Sequence, residues 1–410
     1  MTVQADAPAA GARARGLLAL GPAFVAAVAY VDPGNVAANT TAGAQHGYLL
    51  VWVLVAAGVM GALVQYCSAR LGLVTGASMP DLLGRRLRRP ARLAYWAQAE
   101  LVAAATDIAE VIGGAIALRL LFGLPLPLGG AIVGVAALVL LTVQSRRRQR
   151  WFEAAVVTLL VVLALGFVAG LVVDGVDWRG VAGGLAPRFG GPETVVLATS
   201  MLGATVMPHV IYLHSALVRD RNDGAVPRAS VRPLLAATRW DVGIALSVAG
   251  LVNIALLVLA AGSARGAEDI DGVFGALADG PGAAVAVLFA VGLLASGLAS
   301  TSVGAYAGAV IMSGLLAVRV PLLLRRSVTL VPALLLLAVG VDPTATLVIS
   351  QVVLSLGVPF ALVPLLRLNG DPAVMGEFAA GRTLRTAGWV VTALVVALNA
   401  ALLVLLAIGA

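Results

Sequence analysis

Apolar residues occupy this chain in long, nearly unbroken blocks, and polar or charged residues gather between them. Runs fall at residues 16–44, 49–68, 93–122, 126–143, 154–173, 194–218, 240–262, 283–318, 327–341, 344–366 and 386–409. A lipid-crossing helix needs about 20 apolar residues, so the pattern predicts an all-α membrane protein of eleven transmembrane helices. The eighth block is long: a helix over 283–318 would measure about 54 Å against a hydrocarbon core of about 30 Å. One long span is expected there, because two spans would put every later Arg-rich loop on the other side of the membrane.

Composition agrees with the pattern. Of 410 residues, 60% are AVILMFWYC and 11% charged, against roughly 25% charged in a soluble domain. The spans and short loops leave no room for a separate soluble domain, so residues 1–410 are expected to form one transmembrane unit: a tail over 1–15, one set of five spans over 16–173, a second over 194–366, and an eleventh span over 386–409. A net charge of +7 raises nucleic acid as a partner, but the basic residues lie between apolar blocks and form no continuous patch, which excludes it. All 27 basic residues are Arg. Arg179, Arg188 and Arg265 are the only ones in the odd-numbered loops. Apart from Arg70 and Arg119 at span ends, the rest lie in the N-terminal tail and the even-numbered loops. The positive-inside rule then places the N-terminus in the cytoplasm and the C-terminus outside. Arg13 and Arg15 before an apolar stretch also resemble a secretory signal, but that stretch leads into the most informative residues of the chain and is retained as the first span. The single Cys67 excludes an intramolecular disulfide and a Cys-only metal site.

The chemistry gathers at two interruptions. A carboxylate inside a lipid-spanning segment is costly and marks function. Asp32 is such a residue, in Asp32-Pro33-Gly34-Asn35, where the proline removes a backbone donor and breaks the helix. A plain proline kink would need neither the Asp nor the Asn. The sixth span carries a second break, Gly203-Ala204-Thr205-Val206-Met207-Pro208-His209, with Pro208 175 residues after Pro33. Broken helices opening two sets of five spans point to inverted repeats with a binding site between them, and half-helix ends that present carbonyls suit a cation. Asp32 supplies a hard carboxylate, Asn35 an amide oxygen and Met207 a soft thioether. Magnesium and calcium prefer oxygen alone, whereas manganese, iron and softer ions accept sulfur more readily.

A second constellation lies on the third span. At about 100° per residue, Glu100, Asp107 and Glu110 fall within about 80° of one another, one stripe with Thr106 beside it. Such a stripe serves either a water-lined proton path or a structural ion-pair network with Arg325 and Arg326. His209 and His214 lie five apart, about 140° around a helix, and are not expected to share a metal. His209, at the start of a half-helix, suits proton handling; His214 reads as a packed, hydrogen-bonding residue, and His46 as a surface residue of a turn. Gly304 and Gly308 read as close helix packing.

The two break motifs, with Tyr212-Leu213-His214-Ser215, resemble the Nramp family of divalent-metal transporters, which share a leucine-transporter-like inverted-repeat fold. The resemblance runs from about residue 20 to about 378 and takes in the turn Ala42–Tyr48, the segment Ser296–Thr301 with Gly304–Gly308, and the segment Ser350–Leu356. It implies proton-coupled import of Mn²⁺ or Fe²⁺ as substrate by alternating access, with no resident cofactor; the short tails carry no readable sorting segment, so a bacterial plasma membrane is the expected location. The resemblance also implies a ligand set of Asp32, Asn35 and Met207 through side chains and Ala29 and Ala204 through backbone carbonyls, with Gln351 joining in some states. By the same resemblance Glu110, Asp107, Glu100, Arg325 and Arg326 match a proton route leading from the metal site. Val210, Leu298 and Ala309 depart from the family, which often has Asn, Gln and Gln there. A carrier of Mg²⁺ or an amino acid is the alternative within transport; Met207 speaks against the first, and the like charge of Asp32 against the second. An embedded enzyme lacks support, since neither H-E-x-x-H nor G-x-S-x-G occurs.

Overall fold

The computed structural model describes residues 21–143, 171, 175–318 and 320–408, and among them every regular element is helical. The first apolar block is broken where the proline motif predicts. Helix α1 (Pro22–Ala29) ends at Tyr30, and α2 (Pro33–His46) begins after Asp32, whose extended backbone and side chain cap the new helix through Asn35 N. Pro33 at the first helical position has no N–H to lose there and the right φ already, so it ends one helix and starts the next. Helices α3 (Val51–Thr75), α4 (Met79–Arg86), α5 (Arg89–Phe122), α6 (Leu126–Val143) and the short α7 (Trp178–Gly183) follow. The second break repeats the first: α8 (Pro192–Thr205) stops at Val206, and α9 (Pro208–Arg221) restarts after Met207 with Pro208 at its first position. The chain continues through α10 (Arg228–Ser263), α11 (Ile270–Leu277), a π-helical turn at Ala278–Gly282, α12 (Ala283–Leu316), α13 (Leu322–Val339), α14 (Pro343–Gly370), α15 (Pro372–Met375) and α16 (Arg382–Ala407).

Seven of these stretches are long and apolar enough to cross a membrane. The broken first span is divided between the short α1 and α2, α6 and α13 have 18 residues each, and the span expected over 154–173 lies outside the described residues save Leu171. The eighth block is one unbroken helix, α12, of 34 residues. The ninth begins earlier than the hydropathy predicts: α13 takes in Arg325 and Arg326, both buried. Charge pairing inside the bundle, not apolarity, lets the helix start there. Val59, Leu101, Leu251, Leu335, Ile349 and Leu403 are exposed on the outer faces, as expected where the surroundings are lipid and outward burial gains nothing.

Around the breaks the packing is close. Helix α12 runs along α5, α10 packs against α2 and α3, and α14 lies against α2, α5 and α8, with α16 outside α14 and α8. Ala29, Tyr30, Val31 and Met207 share one core cluster with Val111, Ile112 and Ala115 of α5. Glycines permit the approach. A Cβ on Gly34 would lie 1.7 Å from Gln351 Nε2, one on Gly113 2.1 Å from Pro33 Cβ, and one on Gly203 2.0 Å from Gln351 O.

Candidate metal centre

Both breaks converge on one dry spot. Asp32 and Asn35 have 0% exposure, as do Ala204, Met207 and Gln351. Asp32 Oδ1 accepts from Asn35 N at 2.7 Å and from Asn35 Nδ2 at 2.8 Å, while Gln351 Nε2 stands 3.5 Å from Oδ2. Asn35 Nδ2 also donates to Ala204 O at 2.9 Å, tying the first break to the second. None of the ion pairs among the described residues includes Asp32.

The backbone carbonyls follow from the prolines. In a helix the C=O of residue i takes the N–H of residue i+4. For Ala29 that residue is Pro33, and for Ala204 it is Pro208, so the same register frees one carbonyl at each break. The neighbouring carbonyls of the first break are taken: Tyr30 O accepts from Asn253 Nδ2 at 2.7 Å, and Val31 O from the Ser296 hydroxyl. No donor among the described residues reaches Ala29 O. Asn35 Oδ1 and Gln351 Oε1 are likewise buried without a donor. A carboxylate, two amide oxygens and two proline-freed carbonyls make a dry site with a surplus of acceptors, which a cation satisfies. Met207 is the residue before Pro208 at the start of α9 and lies in the core cluster that holds Ala29, Tyr30 and Val31.

The carboxylate stripe of α5 meets α13 as an alternating chain. Arg325 Nε donates to Glu100 Oε1 at 2.8 Å and its Nη1 lies 3.8 Å from Asp107 Oδ2; Arg326 pairs with Asp107 and, at 3.0 Å, with Glu110 Oε2. Arg326 Nη2 also donates to Thr301 Oγ1 at 3.1 Å. Glu110 Oε1 takes no hydrogen bond. Pro33 of the first break packs on Gly113, less than one turn beyond Glu110, and Gly297 sits beside both. His209 reaches this stripe at Thr106, with Nδ1 3.4 Å from Oγ1, and not at a carboxylate. His214 is inter-helical, as expected, its Nδ1 2.8 Å from Gln65 Oε1. His46, expected at the surface, is only half-exposed, with Nε2 buried.

Several residues here were not legible in the sequence. Gln65 Nε2 donates to Tyr30 Oη at 2.7 Å, linking α3 to the first hinge, and Asn39 Nδ2 donates to Asn253 Oδ1 at 2.7 Å. Gly304 and Gly308 do more than bring helices together: they leave room for the charges. A Cβ on Gly308 would lie 2.0 Å from Arg325 Cζ, and one on Gly304 3.2 Å from Glu110 Oε1. Lone polar residues in apolar helices were the signal for Gln65 and Asn253, but nothing in one chain says which partners they meet.

A many-span helical bundle with two interrupted helices meeting at a buried, cation-suited centre defines a membrane transporter. Comparison with known proteins resolves the class further. The family model described as "Natural resistance-associated macrophage protein-like" (Nramp) matches residues 23–405. The divalent metal cation transporter MntH of Mycobacterium tuberculosis is 61% identical over 393 residues, 95% of this chain and 92% of that protein, and MntH of Deinococcus radiodurans is 43% identical over 389 residues, 94% and 89% of the two chains. A crystal structure of the Eremococcus coleocola manganese transporter superposes with a TM-score of 0.83 at 33% identity, covering 97% of this chain and 88% of that one. MhsT in complex with L-phenylalanine shares the fold at a TM-score of 0.59 and 14% identity, over 95% and 98% of the two chains. The chain belongs to the Nramp family and is a divalent metal cation transporter, not an enzyme.

Proposed function

We propose that this protein imports Mn²⁺ or Fe²⁺ across a bacterial plasma membrane, coupled to protons, by alternating access in a leucine-transporter-like fold of eleven spans arranged as two inverted five-span repeats. The observation that carries the reading is the acceptor surplus at the two breaks: Asp32, Asn35 and Gln351 with the proline-freed carbonyls of Ala29 and Ala204. These oxygens and the Met207 thioether form the proposed ligand set, in which sulfur favours transition metals over Ca²⁺ and Mg²⁺. The manganese named for the Eremococcus relative supports the choice of substrate.

The proton path proposed runs from the metal site by way of Glu110, Asp107 and Glu100, with Arg325 and Arg326 between the acids and His209 touching the stripe at Thr106. Arrival of a divalent ion beside Asp32 favours the charged carboxylate and expels a proton it carries, and Glu110 has an oxygen free to receive one. The Arg asymmetry of the loops supports a cytoplasmic N-terminus and an external C-terminus. Proteoliposomes holding the full chain test the whole scheme: Mn²⁺ uptake that saturates and acidifies the lumen is expected, whereas saturable uptake with no acidification would remove the proton coupling.

A further inference from the structure

Away from the metal centre, a cavity of about 560 Å³ opens beside the end of α2. Its rim brings together three segments distant in sequence: the turn His46–Gly47 that closes α2, the loop carrying Arg188 before α8, and the turn carrying Arg265 after α10. Arg188 and Arg265 are two of the three Arg residues in the odd-numbered loops, a face where Arg is otherwise scarce. Neither guanidinium has a hydrogen bond or ion pair among the described residues. Arg265 lies over Gly47, whose φ of +60° and missing side chain leave it room; a Cβ there would stand 3.2 Å from Arg265 Nη2. His46 adds a buried Nε2 with no partner.

Two acids nearby serve as helix caps. Asp177 lines the cavity, but its Oδ1 accepts from Gly180 N at 3.0 Å, and Asp269, four residues beyond Arg265, is turned to Gly272 N at 2.7 Å. Two unpaired guanidiniums and an imidazole nitrogen around a space wider than a single ion are the complement of a small molecule with several carboxylates, since each guanidinium offers a planar fork of donors. A single chloride or acetate would leave one fork unused.

We infer that this cavity is a binding site for a small polycarboxylate, held by Arg188 and Arg265 with His46 Nε2, on the face that the proposed topology makes external. The site stands at the far end of the half-helix whose first turn carries Asp32 and Asn35, about 20 Å away at 1.5 Å per residue. It is therefore separate from the metal ligands, and binding does not depend on their assignment.

Calorimetric titration of the purified full chain in lipid nanodiscs tests this, with tricarballylate in metal-free buffer as the probe and citrate with and without Mn²⁺ as further arms. Saturable binding of metal-free tricarballylate is expected, about tenfold weaker in Arg188→Gln and in Arg265→Gln, because each removes charge-assisted hydrogen bonds. Both variants should retain Mn²⁺ uptake in carboxylate-free buffer, which shows that they are folded. Absence of saturable tricarballylate binding, or equal affinity in the double variant, overturns the site. Binding of citrate only when Mn²⁺ is present, unchanged by either Arg substitution, also overturns it and assigns the signal to the metal centre. Failure of Mn²⁺ uptake in the wild type would bear on the proposed transport and leave this titration interpretable.

Discussion

At the level of single residues, the centre holds more acceptors than its own donors satisfy. Asp32 has amide donors but no counter-ion, Ala29 and Ala204 lose their i+4 donors to proline, and Asn35 spends its amine on Asp32 and Ala204 while its oxygen stays free. Met207 is the one soft atom among them. Its replacement by Ala leaves oxygen alone, so Cd²⁺ affinity should fall most, Mn²⁺ transport should partly survive, and exclusion of Ca²⁺ and Mg²⁺ should weaken. Competition of Ca²⁺ against Mn²⁺ uptake measures this; an unchanged Cd²⁺ affinity would mean that the sulfur is not a ligand. Glu110 invites the companion test. It shares Arg326 with Asp107 and keeps one oxygen unbonded, so Glu110→Gln should cut lumenal acidification more than it weakens Mn²⁺ binding. Intact acidification in that variant would leave the stripe a purely structural ion-pair network.

The elements matter because the breaks are helix ends, with all that helix ends expose. Each proline starts a helix without cost and strips its predecessor of one hydrogen bond, and the pair does so at matching positions, Pro33 under Ala29 and Pro208 under Ala204. Pro208→Ala restores an N–H at the position that would close on Ala204 O. The carbonyl then turns inward to its own helix, and both the Asn35 contact and a proposed metal ligand are lost. Mn²⁺ affinity is expected to drop about tenfold, the scale of one interaction with a charged partner, with thermal stability unchanged or raised. Titration of Mn²⁺ into the variant alongside a melting curve separates the two; unaltered affinity would show that the Ala204 carbonyl does not face the ion. Helix α12 makes the complementary point. Gly304 and Gly308 lie where side chains would strike Glu110 and Arg325, so a spacing that reads as helix packing also houses a charge network.

For the whole molecule, orientation is the property that loops decide and helices do not. The Arg-rich loops, including Arg85, Arg86, Arg88 and Arg89 around the start of α5, are expected in the cytoplasm, and Arg179 outside. Cys67 is buried and has 0% exposure, so it contributes little background to thiol labelling. In sealed cells a membrane-impermeant maleimide should label Arg179→Cys and spare Arg88→Cys until the membrane is opened. The reverse pattern would invert the topology. The same arrangement places the cavity of Arg188 and Arg265 on the side from which the metal is proposed to arrive.

Much of this was written locally. Uninterrupted apolar blocks determine that helices form and cross lipid, because unsatisfied backbone groups in hydrocarbon leave no other choice; Pro33 and Pro208 determine where two of those helices break; and the period of α5 puts Glu100, Asp107 and Glu110 on one face. Boundaries set by charge were less legible, as α13 shows by taking two arginines inside once acids stand opposite. Tertiary structure alone decided the pairings. That Asn35 bridges to Ala204 across 169 residues, that Arg326 sits between Asp107 and Glu110 across more than 200, and that Gln65 steadies Tyr30 from a different helix cannot be read from hydropathy, since a buried polar group states only that it needs a partner. Which one it finds is set by how the helices pack, and that is fixed by the glycines, the loops and the shape of the whole bundle.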